Sequence, residues 1–215
     1  MNALELIDIS ITPPGATAPL FPPVTLTIPA GEVLAVMGPS GVGKSTLIDF
    51  VGGHLGAGFR ASGRVVLDGR DVTQLAPEMR GIGILFQDPM LFPHLSVGEN
   101  LAFGLTRRVA RRSERRARVE AALARAGLDG LYDRDPATLS GGQRARAALM
   151  RSLLAEPGAL LLDEPFAGLD GETRRDFRSF VFAHVKEHVI PVLMVTHDAD
   201  DAEAAGTRQV VLRHE

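Results

Sequence analysis

The sequence predicts an α/β domain with a largely parallel sheet and a helical subdomain inserted into it. Short runs rich in β-branched and apolar residues alternate with helical segments along most of the chain. Several of these runs are apolar at every position, which is typical of parallel strands buried on both faces. The stretch 89–149 breaks the alternation because it is helical without an obvious strand. We therefore assign residues 1–88 and 150–215 to the α/β core and residues 89–149 to the helical subdomain.

The individual elements follow from length, periodicity and boundary residues. Apolar runs of roughly four to eight residues between glycine, proline or polar clusters predict strands. Longer segments with apolar residues about three or four apart predict helices. The predicted strands are residues 4–11, 24–28, 32–37, 64–67, 82–86, 160–163, 192–196 and 209–212. The predicted helices are one that begins after Lys44, then 97–104, 114–126, 143–155 and 172–187.

The composition is that of an ordinary globular domain. Of the 215 residues, 45% are hydrophobic, and the formal net charge is −3. A chain of this length buries about 70% of its unfolded surface, so it needs neither a disulfide nor a structural metal. The sequence contains no cysteine, which excludes disulfides, zinc–cysteine sites and thiol catalysis.

No segment predicts a membrane span or a secretory signal. The longest unbroken apolar run covers residues 33–37, whereas a membrane-spanning helix needs roughly 20 apolar residues. The first basic residue is Lys44, whereas a signal peptide begins with positive charge. We therefore expect a cytoplasmic protein, unless a partner recruits it to a membrane.

A phosphate-binding loop is predicted directly after the third strand. Residues 38–45 read GPSGVGKS, which matches the P-loop pattern between a strand and a helix. Glycines allow successive N–H groups to point at phosphate oxygens, and the following helix adds its positive end. In such a loop Lys44 reaches the β and γ phosphates, and the Ser45 hydroxyl binds Mg²⁺. The predicted nucleotide-binding residues are Gly38, Pro39, Ser40, Gly41, Val42, Gly43, Lys44, Ser45 and Thr46.

Two carboxylates follow a later apolar strand, in the sequence LLLDE at residues 160–164. Asp163, at the strand end, is placed to hold Mg²⁺ beside the phosphates. Glu164 is placed to orient or deprotonate a water in line with the γ-phosphate. Kinases, GTPases and motor proteins all have a P-loop, so the paired carboxylates narrow the class of nucleotide-binding protein.

A glycine turn before a predicted helix provides a second anion site. Ser140 is a good N-cap, and the helix from Gln143 points its positive end outward. Residues 139–143, LSGGQ, resemble the signature motif of ATP-binding cassette (ABC) ATPases. The other motifs of that family occur in its order: the P-loop, Gln87 in LFQD, the Asp163–Glu164 pair, Asp170 in GLD, and His197 in VTHD. The signature residues would be Leu139, Ser140, Gly141, Gly142 and Gln143.

The resemblance implies a P-loop NTPase core of the RecA-like type, with a mostly parallel sheet, an antiparallel β subdomain and an inserted helical subdomain. It implies that Gln87 contacts Mg²⁺ and the attacking water and relays the nucleotide state to the helical subdomain. His197 would contact the γ-phosphate, and Asp170 would cross a dimer interface. Lys44, Gln87, Glu164 and His197 would then be the catalytic residues, and Ser45, Gln87 and Asp163 the metal ligands.

The family further implies cofactors and partners. ATP and Mg²⁺ would bind between two copies of the chain paired head to tail, so that each signature closes on the partner's ATP. The other partners would be transmembrane permease subunits and a periplasmic or extracellular solute-binding protein, which would hold the chain peripherally at the cytoplasmic side of the cell membrane.

Within the family, the sequence resembles the importer branch. Residues 87–97, QDPMLFPHLSV, and residues 163–166, DEPF, resemble importer ATPases, among them the Ynj-type. The alternative is a non-transport ABC ATPase that acts as an ATP-dependent scaffold, of the cell-division or lipoprotein-release type. Members usually carry an adenine-stacking aromatic residue before the second strand, and here Phe21 is the nearby candidate.

Three further features have competing interpretations. The arginine-rich run 107–118 is interpreted as a solvated helix face, with contact to anionic lipid or a membrane partner as the alternative and no nucleic acid expected. The H-x-x-E-H pattern at residues 184–188 is interpreted as an accident rather than a zinc site. His94 is a candidate contact to the membrane subunit.

Overall fold

The computed structural model describes residues 3–105, 109, 111–206 and 208–213. Its contacts divide the chain into two compact units. The first unit comprises Met1–Ile84, Gly158–Glu164 and Phe182–Glu215, and the second comprises Leu85–Pro157 and Pro165–Val181. The sequence-based boundaries differ from this division mainly at residues 165–181, which they place in the core.

The strands are β1 Ala3–Thr12, β2 Val24–Pro29, β3 Val33–Met37, β4 Arg60–Leu67, β5 Arg70–Asp71, β6 Ile82–Leu85, β7 Ala159–Asp163, β8 Val192–Val195 and β9 Gln209–Val211. The helices are α1 Lys44–Gly52, α2 Val97–Gly104, α3 Arg112–Arg125, α4 Gly141–Leu153, α5 Gly171–His188 and α6 Ala199–Ala204. The sequence did not predict β5 or α6, and it began β4 four residues late, at residue 64. The first three residues of β4, Arg60, Ala61 and Ser62, are exposed, so this end lacks the run of large apolar residues that predicts a strand.

A five-stranded sheet in the order β6-β7-β8-β3-β9 forms the centre of the first unit. Strand β8 pairs in parallel with β7 and with β3, and β3 pairs in parallel with β9. All four residues of β8 are buried, as expected for a parallel strand covered on both faces. Because the register places Asp163 beside Val195, the chain segments that follow β7 and β8 begin at the same edge of the sheet.

A separate antiparallel sheet has the order β2-β1-β4-β5. In β1 the buried positions Leu4, Leu6, Ile9 and Ile11 face the core, and the alternation shifts at a bulge between Leu6 and Ile9. The side chains on these positions join the hydrophobic cluster that underlies β3 and α1. The predicted mostly parallel sheet, antiparallel β subdomain and helical region are therefore all confirmed.

The second unit is mainly helical. Helix α2 begins with a capping box in which Ser96 and Glu99 bind each other's backbone N–H groups. On α3, Arg116 pairs with Glu120 at 2.8 Å and Arg118 pairs with Glu114 at 3.3 Å, and all four side chains are about half exposed. Of the arginine-rich run 107–118, residues 107, 108 and 110 lie outside the described residues. Among the helices that the structure describes, none is long and apolar enough to cross a membrane.

Candidate nucleotide site

The P-loop connects β3 to α1 through three glycines in the left-handed region. The φ angles of Gly38, Gly41 and Gly43 are 151°, 82° and 102°. Packing also requires glycine at two of them: a Cβ on Gly38 would lie 2.7 Å from the Leu212 carbonyl oxygen, and one on Gly43 would lie 2.8 Å from Leu20 Cδ1. Gly43 is the N-cap of α1 and supplies no side-chain acceptor, so the first N–H groups of the helix remain available for an anion.

The Lys44 side chain binds two main-chain carbonyls of this loop. Its side chain is buried, and Nζ donates to the carbonyl oxygens of Gly38 at 2.8 Å and Pro39 at 3.1 Å. A cavity of about 220 Å³ opens here, lined by Ser40, Gly41, Gly43, Lys44, Ser45, Thr46 and Glu164. Its lining combines an ammonium group, hydroxyls and a helix N-terminus, which is the chemistry that binds a triphosphate.

Ser45 and Asp163 meet beside the cavity although they are far apart in the chain. The Ser45 hydroxyl donates to Asp163 Oδ1 at 3.0 Å. Burial raises the pKa of Asp163, and the nearby charges of Glu164 and Asp49 raise it further, against the opposing effects of Ser45 and Lys44. A half-buried carboxylate near two others is a place where a divalent cation relieves repulsion.

These donors fit Mg²⁺. Magnesium keeps several waters and takes one or two protein oxygens together with substrate phosphates. The described residues contain no cluster of three or more His, Cys, Asp or Glu side chains that could hold a metal by themselves. One hydroxyl and one carboxylate next to this cavity match the protein share of such a site, so Ser45 and Asp163 could hold Mg²⁺.

Glu164 lines the cavity and is held from two sides. Its N–H donates to the Val195 carbonyl oxygen at 3.0 Å, and its Oε2 lies 3.2 Å from His197 Nδ1. Its φ angle of 44° lies in the left-handed region, which is costly for a residue with a side chain. The adjacent β7 and β8 therefore bring together two residues that the sequence places 33 positions apart.

The signature segment forms the N-terminus of α4 in the second unit. The Ser140 side chain accepts from the Gln143 N–H at 3.2 Å, and Gln143 Oε1 accepts from the Ser140 N–H at 2.9 Å. A Cβ on Gly142 would lie 2.5 Å from Thr173 Cγ2, whereas one on Gly141 would have its nearest atom at 3.5 Å. Gly142 is thus required by packing within the chain, a reason that the sequence pattern alone does not reveal.

Asp170 and Gln87 also belong to the second unit. Asp170 precedes α5 and accepts from the N–H groups of Thr173 at 3.0 Å and Glu172 at 3.2 Å. Hydrogen bonds from Thr173 are the main cause that lowers the pKa of Asp170. This capping role was missed, although an aspartate two residues before the start of a predicted helix is a signal for it. Gln87 is exposed and follows β6 by two residues.

Three other residues singled out in the sequence have clear structural environments. Phe21 is fully buried against the P-loop, where its Cε1 would lie 3.1 Å from a Cβ on Gly43, so the structure excludes it as an adenine-stacking residue. The rings of His184 and His188 are stacked, with centroids 6.0 Å apart, and His188 Nδ1 lies 2.9 Å from the His184 carbonyl oxygen.

The fold and this site define an ATPase of the P-loop class. A family model described as "ABC transporter" matches residues 21–167. The chain therefore belongs to the ABC transporter family, in which it is an ATP-binding component that hydrolyses ATP to drive transport.

Individual relatives match most of the chain. It is 49% identical over 181 residues to the uncharacterized ABC transporter ATP-binding protein YnjD of Escherichia coli (strain K12), covering 84% of this chain and 83% of the relative. It is 45% identical over 183 residues to the thiamine import ATP-binding protein ThiQ of Cereibacter sphaeroides, covering 85% and 78%. It is 46% identical over 192 residues to the sulfate/thiosulfate import ATP-binding protein CysA of Nocardia farcinica, covering 88% of this chain but 56% of that relative.

One solved structure is similar along nearly the whole chain. This is the ATP-binding cassette MJ0796, solved as a dimer in a post-hydrolysis state bound to ADP and Pi, with a TM-score of 0.83 and 30% sequence identity. The likeness covers 98% of this chain and 94% of that one. The predicted ABC ATPase fold is therefore confirmed.

Proposed function

We propose that this chain is the ATP-hydrolysing subunit of a bacterial importer, and that it works as a head-to-tail dimer of two copies closed by two ATP molecules. The observation that carries the proposal is the cavity between the P-loop and Glu164, with the Ser45–Asp163 contact beside it. These groups supply phosphate binding, metal binding and a base at one edge of the parallel sheet.

In this proposal Lys44 changes partners when ATP binds. Its ammonium group now donates to two loop carbonyls, and phosphate oxygens would replace them with stronger, charge-assisted hydrogen bonds. Ser45 and Asp163 would hold Mg²⁺, and the bound ion would neutralise part of the phosphate charge. The N-terminus of α1 adds its positive end to the same phosphates.

Glu164 is the proposed general base. It would take a proton from a water whose oxygen attacks the γ-phosphorus, while the bond from that phosphorus to the bridging oxygen breaks and ADP leaves. His197 holds the carboxylate through the 3.2 Å contact with Oε2 and would itself approach the γ-phosphate. Gln87 is proposed to contact Mg²⁺ and the attacking water.

The dimer would complete the site in trans. Ser140 and the first turn of α4 would bind the ATP held by the partner's P-loop, and Asp170 would lie at the interface. The dimeric state of the similar cassette MJ0796 supports this arrangement. The relatives named for thiamine and sulfate/thiosulfate import support an importer over the scaffold alternative.

An importer subunit needs membrane partners. We infer docking on transmembrane permease subunits, with a solute-binding protein outside the membrane, so that the chain resides at its cytoplasmic face. Closure of the ATP dimer supplies contacts that exist in only one state, which is what shifts a conformational equilibrium.

The test is light scattering on the Glu164→Gln variant at several protein concentrations, with and without Mg-ATP. We expect a monomer of 22.9 kDa without nucleotide and a dimer only with Mg-ATP, because the variant binds ATP but does not hydrolyse it. The same variant with Lys44→Ala is the matched control and should stay monomeric. A monomer at all concentrations, with ATP binding verified separately, would refute the sandwich dimer, and near-normal hydrolysis by Glu164→Gln would refute the assigned base.

A further inference from the structure

Arg151, in the last turn of α4, forms hydrogen bonds to the main chain just after Gln87. Its Nη1 donates to the Met90 carbonyl oxygen at 2.9 Å, and its Nη2 donates to the Pro89 carbonyl oxygen at 3.3 Å. The guanidinium carbon also lies 5.3 Å from the centre of the Phe92 ring. Two parallel donors on two consecutive carbonyls are a contact that the planar fork of arginine can make and the single ammonium of lysine cannot.

Asn100 of α2, which is fully buried, holds the residues that follow in the chain. The Asn100 amide donates to the carbonyl oxygens of Phe92, Leu95 and Ser96, and its Oδ1 accepts from the Phe92 N–H at 2.7 Å. Helix α2 therefore fixes residues 92–96, while Arg151 fixes residues 89–90. The main chain that follows Gln87 has little freedom relative to α4.

Helix α4 also carries the signature at its other end. Ser140 caps its N-terminus, and about 16 Å of helix separates Ser140 from Arg151 at 1.5 Å per residue. A Cβ on Gly104 would collide with the Arg151 carbonyl oxygen, so α2 packs directly against this turn of α4. One continuous, packed helix therefore links the signature end to the Pro89 and Met90 carbonyls.

We propose that Arg151 is a positioning residue that couples the signature helix to Gln87 by holding the Pro89–Met90 main chain. The inference rests on the proposed role of Gln87 in hydrolysis. The P-loop lies in the first unit, whereas the contacts of Arg151 lie in the second. Removal of the Arg151 side chain should therefore lower kcat without weakening ATP binding.

The experiment is a double-mutant cycle on kcat, with the Kd for Mg-ATP measured for every variant. The variants of the full chain are Gln87→Ala, Arg151→Met and their combination. If each single change lowers kcat, by about 10-fold and about 5-fold, the double variant should lose about 10-fold and not about 50-fold, because residues that act as one unit are non-additive. The Kd should change by less than about 2-fold.

Two further variants separate positioning from a general structural role. Arg151→Lys should recover part of the lost kcat. Arg146→Met removes a matched contact of the same helix, from Nη1 to the Ala126 carbonyl oxygen at 3.1 Å, and its effect on kcat should be additive with Gln87→Ala.

The outcomes distinguish the two proposals. Additive losses for Arg151→Met and Gln87→Ala, or a loss of Mg-ATP affinity equal to the loss of kcat, would overturn the positioning role while leaving the ATPase assignment intact. An unchanged kcat in Gln87→Ala would overturn the role of Gln87 and, with it, the coupling. Absence of hydrolysis in the unaltered chain together with its permease would instead refute the proposed function itself.

Discussion

Arg80 provides a direct test of how the P-loop helix is anchored. Arg80 is only 7% exposed, and four main-chain carbonyls accept the hydrogen bonds of its guanidinium group. Nη1 donates to Phe50 and Val51 at 2.8 Å each, Nη2 donates to Thr73 at 2.6 Å, and Nε donates to Leu75 at 3.0 Å. The first two carbonyls belong to the last turns of α1, the negative end of the helix whose positive end faces the phosphate cavity.

Replacement of Arg80 by Met removes the donors but keeps most of the side-chain volume. At a net value of about 1 kcal/mol for each hydrogen bond, the four bonds amount to about 4 kcal/mol of stability. For a chain of this length, a loss of 1 kcal/mol lowers the melting temperature by about 2–4 °C, so we expect a decrease of about 8–16 °C. Arg80→Lys should be intermediate, because one ammonium group cannot reach all four carbonyls.

The assay is urea unfolding followed by circular dichroism, with the slope of the transition compared between variants. The matched control is Arg116→Met, whose side chain is 52% exposed and pairs with Glu120, and it should leave the midpoint unchanged. If Arg80→Met lost less than about 1 kcal/mol, water would satisfy the freed carbonyls equally well, and the anchoring argument would be wrong.

Three further predictions concern other positions. Burial raises the pKa of Asp163, so this carboxyl binds its proton more tightly in the folded protein than in the unfolded chain. The resulting contribution to stability is fully present below the unfolded pKa of 3.8, and it disappears as the pH rises through the folded pKa. Asp163→Asn should therefore raise the urea midpoint of the ligand-free protein near neutral pH, with a gain that shrinks toward acidic pH, while Mg²⁺-dependent hydrolysis is abolished; an unchanged midpoint would contradict this. Val189 has φ 49° and is 56% exposed, and asparagine tolerates this left-handed conformation better than valine. Val189→Asn should therefore stabilise the protein by about 1 kcal/mol in the same unfolding assay. A loss of stability would show that the left-handed conformation does not destabilise the folded protein at this position. Gly142→Ala should destabilise the protein because of Thr173 Cγ2, and Thr173→Ser, which lacks that methyl group, should restore the midpoint; failure of this rescue would mean that the clash is not the cause.

Local sequence patterns were sufficient to predict most of the helices and strands and the phosphate-binding loop. The P-loop glycines, Lys44 and Ser45 occupy one continuous segment, and the apolar strand that ends at Asp163 is recognisable without its neighbours. The missed elements had no such signal. Strand β5 has two residues and is held by its pairing with β4, and α6 has six residues with no apolar periodicity.

Contacts between distant segments account for what the patterns could not predict. Arg80 looks like any surface arginine until four carbonyls from separate segments surround it. Gly142 looks like a requirement of ligand approach until Thr173 is seen above it. Phe21, a reasonable stacking candidate by position, is fully buried, with its ring against Gly43 of the P-loop.

The sequence by itself determined the class of fold, the phosphate loop and the order of the motifs, because each of these depends on residues within one short segment. The tertiary structure decided which of those residues meet. The register of β7 on β8 sets Glu164 beside His197, the packing of α1 against β7 sets Ser45 against Asp163, and the end of α4 sets Arg151 on the chain after Gln87. These contacts are non-local, so their geometry is set by how strands and helices pack and not by the spacing of residues along the chain.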